Sequence, residues 1–182
     1  VTTLLDPFEN KGTLRMPRTL SAELVFMSKS GAEHGSMESV VGSPFVVSMP
    51  GEFEVKGIML DVRSAPTKTS PEHKIARLMA EDILVGFLGA LDRKPNEKEL
   101  EVLEGVDILI LSLGAEGMSP AAAVETVQEV EPRVVVPLGE SADIAAFRKA
   151  YGSVRTEEVS KWKAKKKDLP VEDMLMVVIG NE

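Results

Sequence analysis

The chain contains no cysteine, which excludes a disulfide framework, a thiolate metal site and a cysteine nucleophile. Imidazole is nearly as scarce: His34 and His73 are the only histidines, so any transition-metal site has to be completed by carboxylates. Aromatics make up 4% of residues, with one Trp and one Tyr, which leaves little for an aromatic-rich protein interface. Positive charge is in deficit as well. A net charge of -8 and a pI near 5.0 remove any general attraction to nucleic acid or anionic lipid. No apolar run approaches the ~20 residues of a membrane-spanning helix, and no charged-then-apolar signal segment opens the chain. The expected compartment is therefore the cytoplasm. The sequence starts at Val1 and not at Met, so an N-terminal portion is expected to be missing from it.

What is present is a chain of 182 residues, 43% hydrophobic and 27% charged, the profile of one domain over 1-182 that buries roughly 70% of its unfolded surface. Internal repeats, linkers and low-complexity segments are absent. Strands are expected over residues 1–5, 23–27, 44–48, 52–60, 75–78, 83–88, 106–111, 134–136 and 174–179, with a short helix over 36–41. Asn96 reads as the cap of a helix to Leu103, and Ser119 as the cap of a helix that starts with Pro120 and runs to Val130. A further helix over 142–151 stops at Gly152. Strand, helix and strand across 106–136 form a βαβ unit, so the fold class is α/β.

Three segments are weighed for chemistry. Asp6, before Pro7 at a strand end, suits either a metal or a turn hydrogen bond, the latter being the commoner use. His73 follows a loop rich in Pro, Ser, Thr and Lys and reads as solvent-exposed. The one basic cluster, residues 161–167 (KWKAKKK), is short and sits in an acidic chain; it reads as a solvated strand edge, not as a nucleic-acid patch. The most informative stretch is LVFMSKSGAEHG, residues 24–35. It is an apolar strand running into a small-residue loop that ends in Glu33-His34, and loops at the ends of buried strands are where α/β proteins place ligand sites.

The spacing from Ser28 to His34 resembles the Ser-His-x-His-x-Asp-His motif of metallo-β-lactamase-fold hydrolases. The order of further landmarks is similar to the branch of zinc-dependent hydrolases related to ascorbate-6-phosphate lactonase: Leu5-Asp6-Pro7-Phe8, PGEFEVKG at 50–57, FLGAL at 87–91, VDILI at 106–110 and EPRVVVP at 131–137. The resemblance spans nearly the whole chain, and PGEFEVKG is its most specific part. It implies a four-layer αββα sandwich with a metal site at one edge of the sheets, here without the family's first N-terminal hairpin. There, one or two Zn²⁺ or Mn²⁺ lower the pKa of a bound water to give hydroxide near neutral pH.

Carried over by the resemblance, the first two His positions fall on Lys29 and Gly31, the Asp on Glu33 and the next His on His34. The third-strand His falls on Phe87, the bridging Asp on Ala90 and the last His on Gly139. A catalytic zinc needs three protein ligands and an open position. Asp6, Glu33 and His34 are what the sequence offers, and the ammonium of Lys29 repels a cation and is expected to pair instead with Glu33. The expectation is a non-catalytic binding or assembly protein with no metal, a pocket remnant of Asp6, Lys29, Glu33 and His34, and an unidentified small molecule or protein as partner. The alternative is a hydrolase of small phosphorylated, ester or lactone substrates with one weakly bound Zn or Mn. A third reading, acid–base chemistry by Glu33 and His34 beside an anion-binding Lys29, suffers because adjacent loop side chains diverge. Relatives of this kind assemble, so a homo-oligomer is also expected.

Overall fold

The computed structural model describes residues 1–10, 15–17, 19–31 and 35–180. The first strands are short and apolar: β1 (Thr3–Leu5), β3 (Leu24–Phe26) and β5 (Phe45–Val47) form a parallel three-stranded sheet, with Leu4, Val25 and Val46 in register. β2 (Leu20–Ser21) and β4 (Val40–Val41) pair separately. Residues 36–41 are thus a turn and a strand, not the expected helix; Val40 and Val41 are β-branched and lose side-chain freedom in a helix.

The second sheet has eight strands. β6 (Gly51–Val55), β7 (Ile58–Ser64), β8 (Lys74–Ala80) and β9 (Ile83–Phe87) make an antiparallel meander. The single strand expected over 52–60 breaks at Lys56-Gly57. Both adopt positive φ, at 50° and 84°, which is the two-residue turn that matches the twist of a hairpin. β10 (Ile108–Ser112), β11 (Val134–Leu138), β12 (Arg155–Val159) and β13 (Leu175–Ile179) extend this sheet in parallel, in the order β12-β13-β11-β10-β9-β8-β7-β6. β12, RTEEV, escaped the sequence reading because an edge strand facing water carries no apolar alternation.

Helices α1 (Glu97–Val102), α2 (Pro120–Val130) and α3 (Ser141–Tyr151) start and stop where local chemistry dictates. Asn96 and Glu99 form a reciprocal capping box, Ser119 caps α2, and Gly152 at φ 97° ends α3. Val102, Val127 and Phe147 from these helices bury against Leu109, Leu111, Val135 and Met176 of the large sheet. On the opposite face Leu24, Phe26 and Val47 of the small sheet meet Leu60, Val62, Leu78 and Phe87, with the Phe26 and Phe87 rings edge to face at 6.0 Å. Each fully enclosed side chain of this size stabilises the fold by roughly 1.5–3 kcal/mol. Two sheets therefore lie face to face, as the resemblance implies, and the helices among the described residues all cover the large one. No described helix is long and apolar enough to cross a membrane.

The basic segment is not a strand edge. Trp162 and Ala164 turn inward over Ile108, Val134 and Val177, and Lys166–Asp168 form one 3-10 turn. The Lys166 Nζ donates to both oxygens of buried Asp107, at 2.6 and 2.7 Å, and this buried acid draws the segment down.

Candidate functional site

Where β1, β3, β9 and β10 end, their loops converge. Asp6, just past β1, sits at φ 47°, a left-handed conformation that Asp tolerates better than most residues. Its carboxylate accepts from the Ser28 backbone N–H and from Ser28 Oγ, both at 2.6 Å. Ser28 is fully buried, and its carbonyl accepts from Lys74 N–H at 2.7 Å, so the loop after β3 is tied to both β1 and β8. Gly89 completes the junction. At φ +54° it approaches Ser28 so closely that a Cβ there would stand 2.5 Å from Ser28 Oγ.

Above this junction opens a cleft of about 430 Å³ lined by Lys29, Gly31, Ser70, Glu72, Ala90, Asp92 and Glu116, among others. Three positions to which the resemblance assigns metal ligands, 29, 31 and 90, thus line one cleft. They bring to it one ammonium and no donor side chain. Lys29, with its side chain 16% exposed, pairs with Glu116 Oε2 at 3.2 Å. Glu116 was invisible to local reading because it lies 87 residues away, in the turn after β10. Phe87 does not reach the cleft; its ring fills the core between the sheets. Gly139, at φ 156°, lies against Leu113. Glu33 and His34 lie outside the described residues, and among the described residues no three His or carboxylate side chains converge as a metal cluster.

His73 is fully buried, not solvent-exposed as its charged sequence context suggests. Its Nδ1 lies 3.1 Å from the Ala65 carbonyl, while Nε2 is enclosed with no hydrogen-bond partner among the described residues. Burial pushes its pKa down to about 4, against the upward pull of the Ala65 carbonyl and of Asp6; Lys29 and Lys74 push the same way as burial. The neutral ring therefore donates through Nδ1 and presents a lone pair at Nε2. The clue in the sequence was that His73 directly precedes the apolar strand Lys74–Ala80, whose first residues are buried.

The loop that carries His73 is itself clamped. Arg93 donates to both oxygens of Glu99 at 2.8 Å and to the carbonyl of Pro66, joining the 65–73 loop to the start of α1.

A sequence profile described as Beta-lactamase superfamily domain matches residues 1–139. The chain belongs to the metallo-β-lactamase superfamily. Among solved structures, a candidate Zn-dependent hydrolase of this superfamily from Thermotoga maritima superposes with a TM-score of 0.74 at 20% identity, over 97% of this chain and 87% of that one. A candidate metal-dependent hydrolase from Parabacteroides distasonis gives 0.56 at 14% identity, covering 71% of each chain. The metallo-β-lactamase fold protein YhfI from Bacillus subtilis gives 0.54 at 9%, over 86% of this chain and 74% of that one. No curated protein matches the chain. At these identities the structural likenesses establish the fold.

Proposed function

We propose that this superfamily member binds a small molecule or a protein at the strand-end cleft and holds no metal there. The observation that carries this reading is Lys29. A largely buried ammonium, fixed by Glu116, stands in the cleft at a position where the family pattern places imidazole, and a cation beside it is repelled. Gly31 and Ala90, at two more such positions, supply no donor side chain. The side chains at positions 29, 31 and 90 therefore support the metal-free reading.

A second reading, a metal-dependent hydrolase of small phosphorylated, ester or lactone substrates, has its own support. The superfamily's solved members include candidate metal-dependent hydrolases, and the enclosed Nε2 of His73 near Asp6 is an orphaned lone pair of the kind that takes a metal. On this reading Asp6, Glu33 and His34, joined by His73, hold a single Zn²⁺ or Mn²⁺.

The two readings part on metal content and thermal stability. Purified protein is expected to carry well under one metal per chain, and added Zn²⁺ or Mn²⁺ is expected to leave its melting temperature where it is in the Glu33→Ala and His34→Ala variants. Stoichiometric metal, with stabilisation that those substitutions abolish, overturns the binding reading in favour of the hydrolase.

A further inference from the structure

The large sheet ends at β6, whose outer backbone edge has no strand partner among the described residues. Val55 and Ile58 flank the two-residue turn and bond to each other; the alternation of an antiparallel ladder then turns the N–H and C=O groups of Glu52 and Glu54 away from the sheet. Phe53 and Val55 pack inward between the sheets, which leaves the Glu52 and Glu54 side chains on the outer face. Glu54 forms no ion pair with any described residue, and Glu52 has only exposed Arg63 at 3.8 Å. Beside them the register places Met59 opposite Glu54 and Met79 opposite Met59, exposed by 49% and 36%. The result is a row of acid, thioether and thioether across three strands, open to solvent.

An antiparallel pair of β6 edges from two copies puts Glu opposite Glu in the registers centred on Glu52 and Glu54, which like charge disfavours, and Lys56 beside them lies in the turn and not on the strand. The complement of this edge is elsewhere on the same chain. Lys161, Lys163 and Lys165 are exposed and form no ion pair with any described residue, while Trp162 and Ala164 between them point into the core. Lys161, Lys163 and Lys165 thus share the exposed side of their segment, as Glu52 and Glu54 share the exposed face of β6.

We propose that copies of this chain associate head to tail, with Lys161, Lys163 and Lys165 of one copy seated on Glu52 and Glu54 at the β6 edge of the next. The lysine methylenes cover Met59 and Met79 while their ammonium groups reach the carboxylates. Such a contact is heterologous, so it builds chains or a closed ring and not a two-fold dimer.

The test is sedimentation of the full chain over a wide concentration series at low and high ionic strength. Wild-type mass is expected to rise with concentration at low salt, and the association to weaken by about tenfold or more at high salt, because exposed charge pairs are screened. Glu52→Lys/Glu54→Lys and Lys161→Glu/Lys163→Glu/Lys165→Glu are each expected to remain monomeric. An equimolar mixture of the two variants is expected to associate again, which a merely unfolded variant would not do. Monomeric wild type at low salt overturns the proposal, as does association that neither variant disturbs or a mixture that stays monomeric. Binding of a DNA duplex through the lysines without self-association overturns it as well. None of these outcomes depends on the metal content that decides between the two readings of the cleft.

Discussion

At the scale of single residues, buried ionisable groups set how the fold responds to pH. His73 has a folded pKa of about 4 against 6.5 for the free side chain. The unfolded chain therefore binds more protons between these values, so the contribution of neutral His73 is complete above about pH 6.5 and is lost as pH falls toward 4. The gap of about 2.5 pH units corresponds to ~3 kcal/mol as an upper bound. Urea melts at pH 7 and pH 5 are expected to show a steeper loss of stability for wild type than for His73→Gln; equal slopes would mean that the imidazole does not titrate in this window. Asp107 behaves oppositely. Burial alone would raise its carboxyl, but the Leu84 N–H, Lys166 and Arg133 together hold it below its ordinary value, so its contribution is present above the usual carboxylate range and is lost in acid. Asp107→Asn is expected to cost about 2–3 kcal/mol at neutral pH and to expose the 161–168 segment to proteolysis, because its loss frees Lys166 and leaves the Leu84 N–H with a poorer acceptor.

At the scale of elements, helix α1 is only six residues long, too short to hold itself in water. Its capping box and the Glu99–Arg93 pair keep it in place and anchor the loop that carries Ser70, Glu72 and His73. Asn96→Ala is expected to cost about 1 kcal/mol, the usual value of a cap. Glu99→Ala, which removes both the box and the ion pair, is expected to cost about twice that. Amide hydrogen exchange should register the second change at residues 65–73 as well as in α1; protection altered in the helix alone would show that the clamp does not reach the cleft. Helix caps are local, so Asn96 and Ser119 were readable in the sequence. The β6–β7 hairpin was less so, because Lys56-Gly57 lacks the Asn or Asp that marks such turns, and its flanking apolar residues read as one continuous strand.

At the scale of the whole molecule the two sheets differ in how they are held. β10, β11 and β13 are enclosed on both faces, whereas the small sheet consists of three-residue strands, of which β1 is half-buried and β5 exposes Phe45 and Val46. Amides of Leu109, Leu111 and Val135 are therefore expected to exchange only with global unfolding, and those of β1 and β5 through smaller openings at lower free energy. Uniform protection across both sheets would contradict this ranking. Asp6 follows β1 and Ser28 and Lys29 follow β3, so openings of the small sheet are expected to reach the cleft.

The sequence by itself determined the α/β class, the buried runs at 106–111, 134–136 and 174–179, and the caps of α1 and α2, because periodicity and capping act within a few residues. It also determined that positions 29, 31 and 90 carry neither imidazole nor thiolate, since they hold Lys29, Gly31 and Ala90. Only the tertiary structure decided that His73 is enclosed, that Lys29 meets Glu116 across 87 positions, and that Asp107 holds Lys166 across 59. Each of these depends on which strand ends the sheet order brings together, and that order is fixed by burial summed over the whole chain.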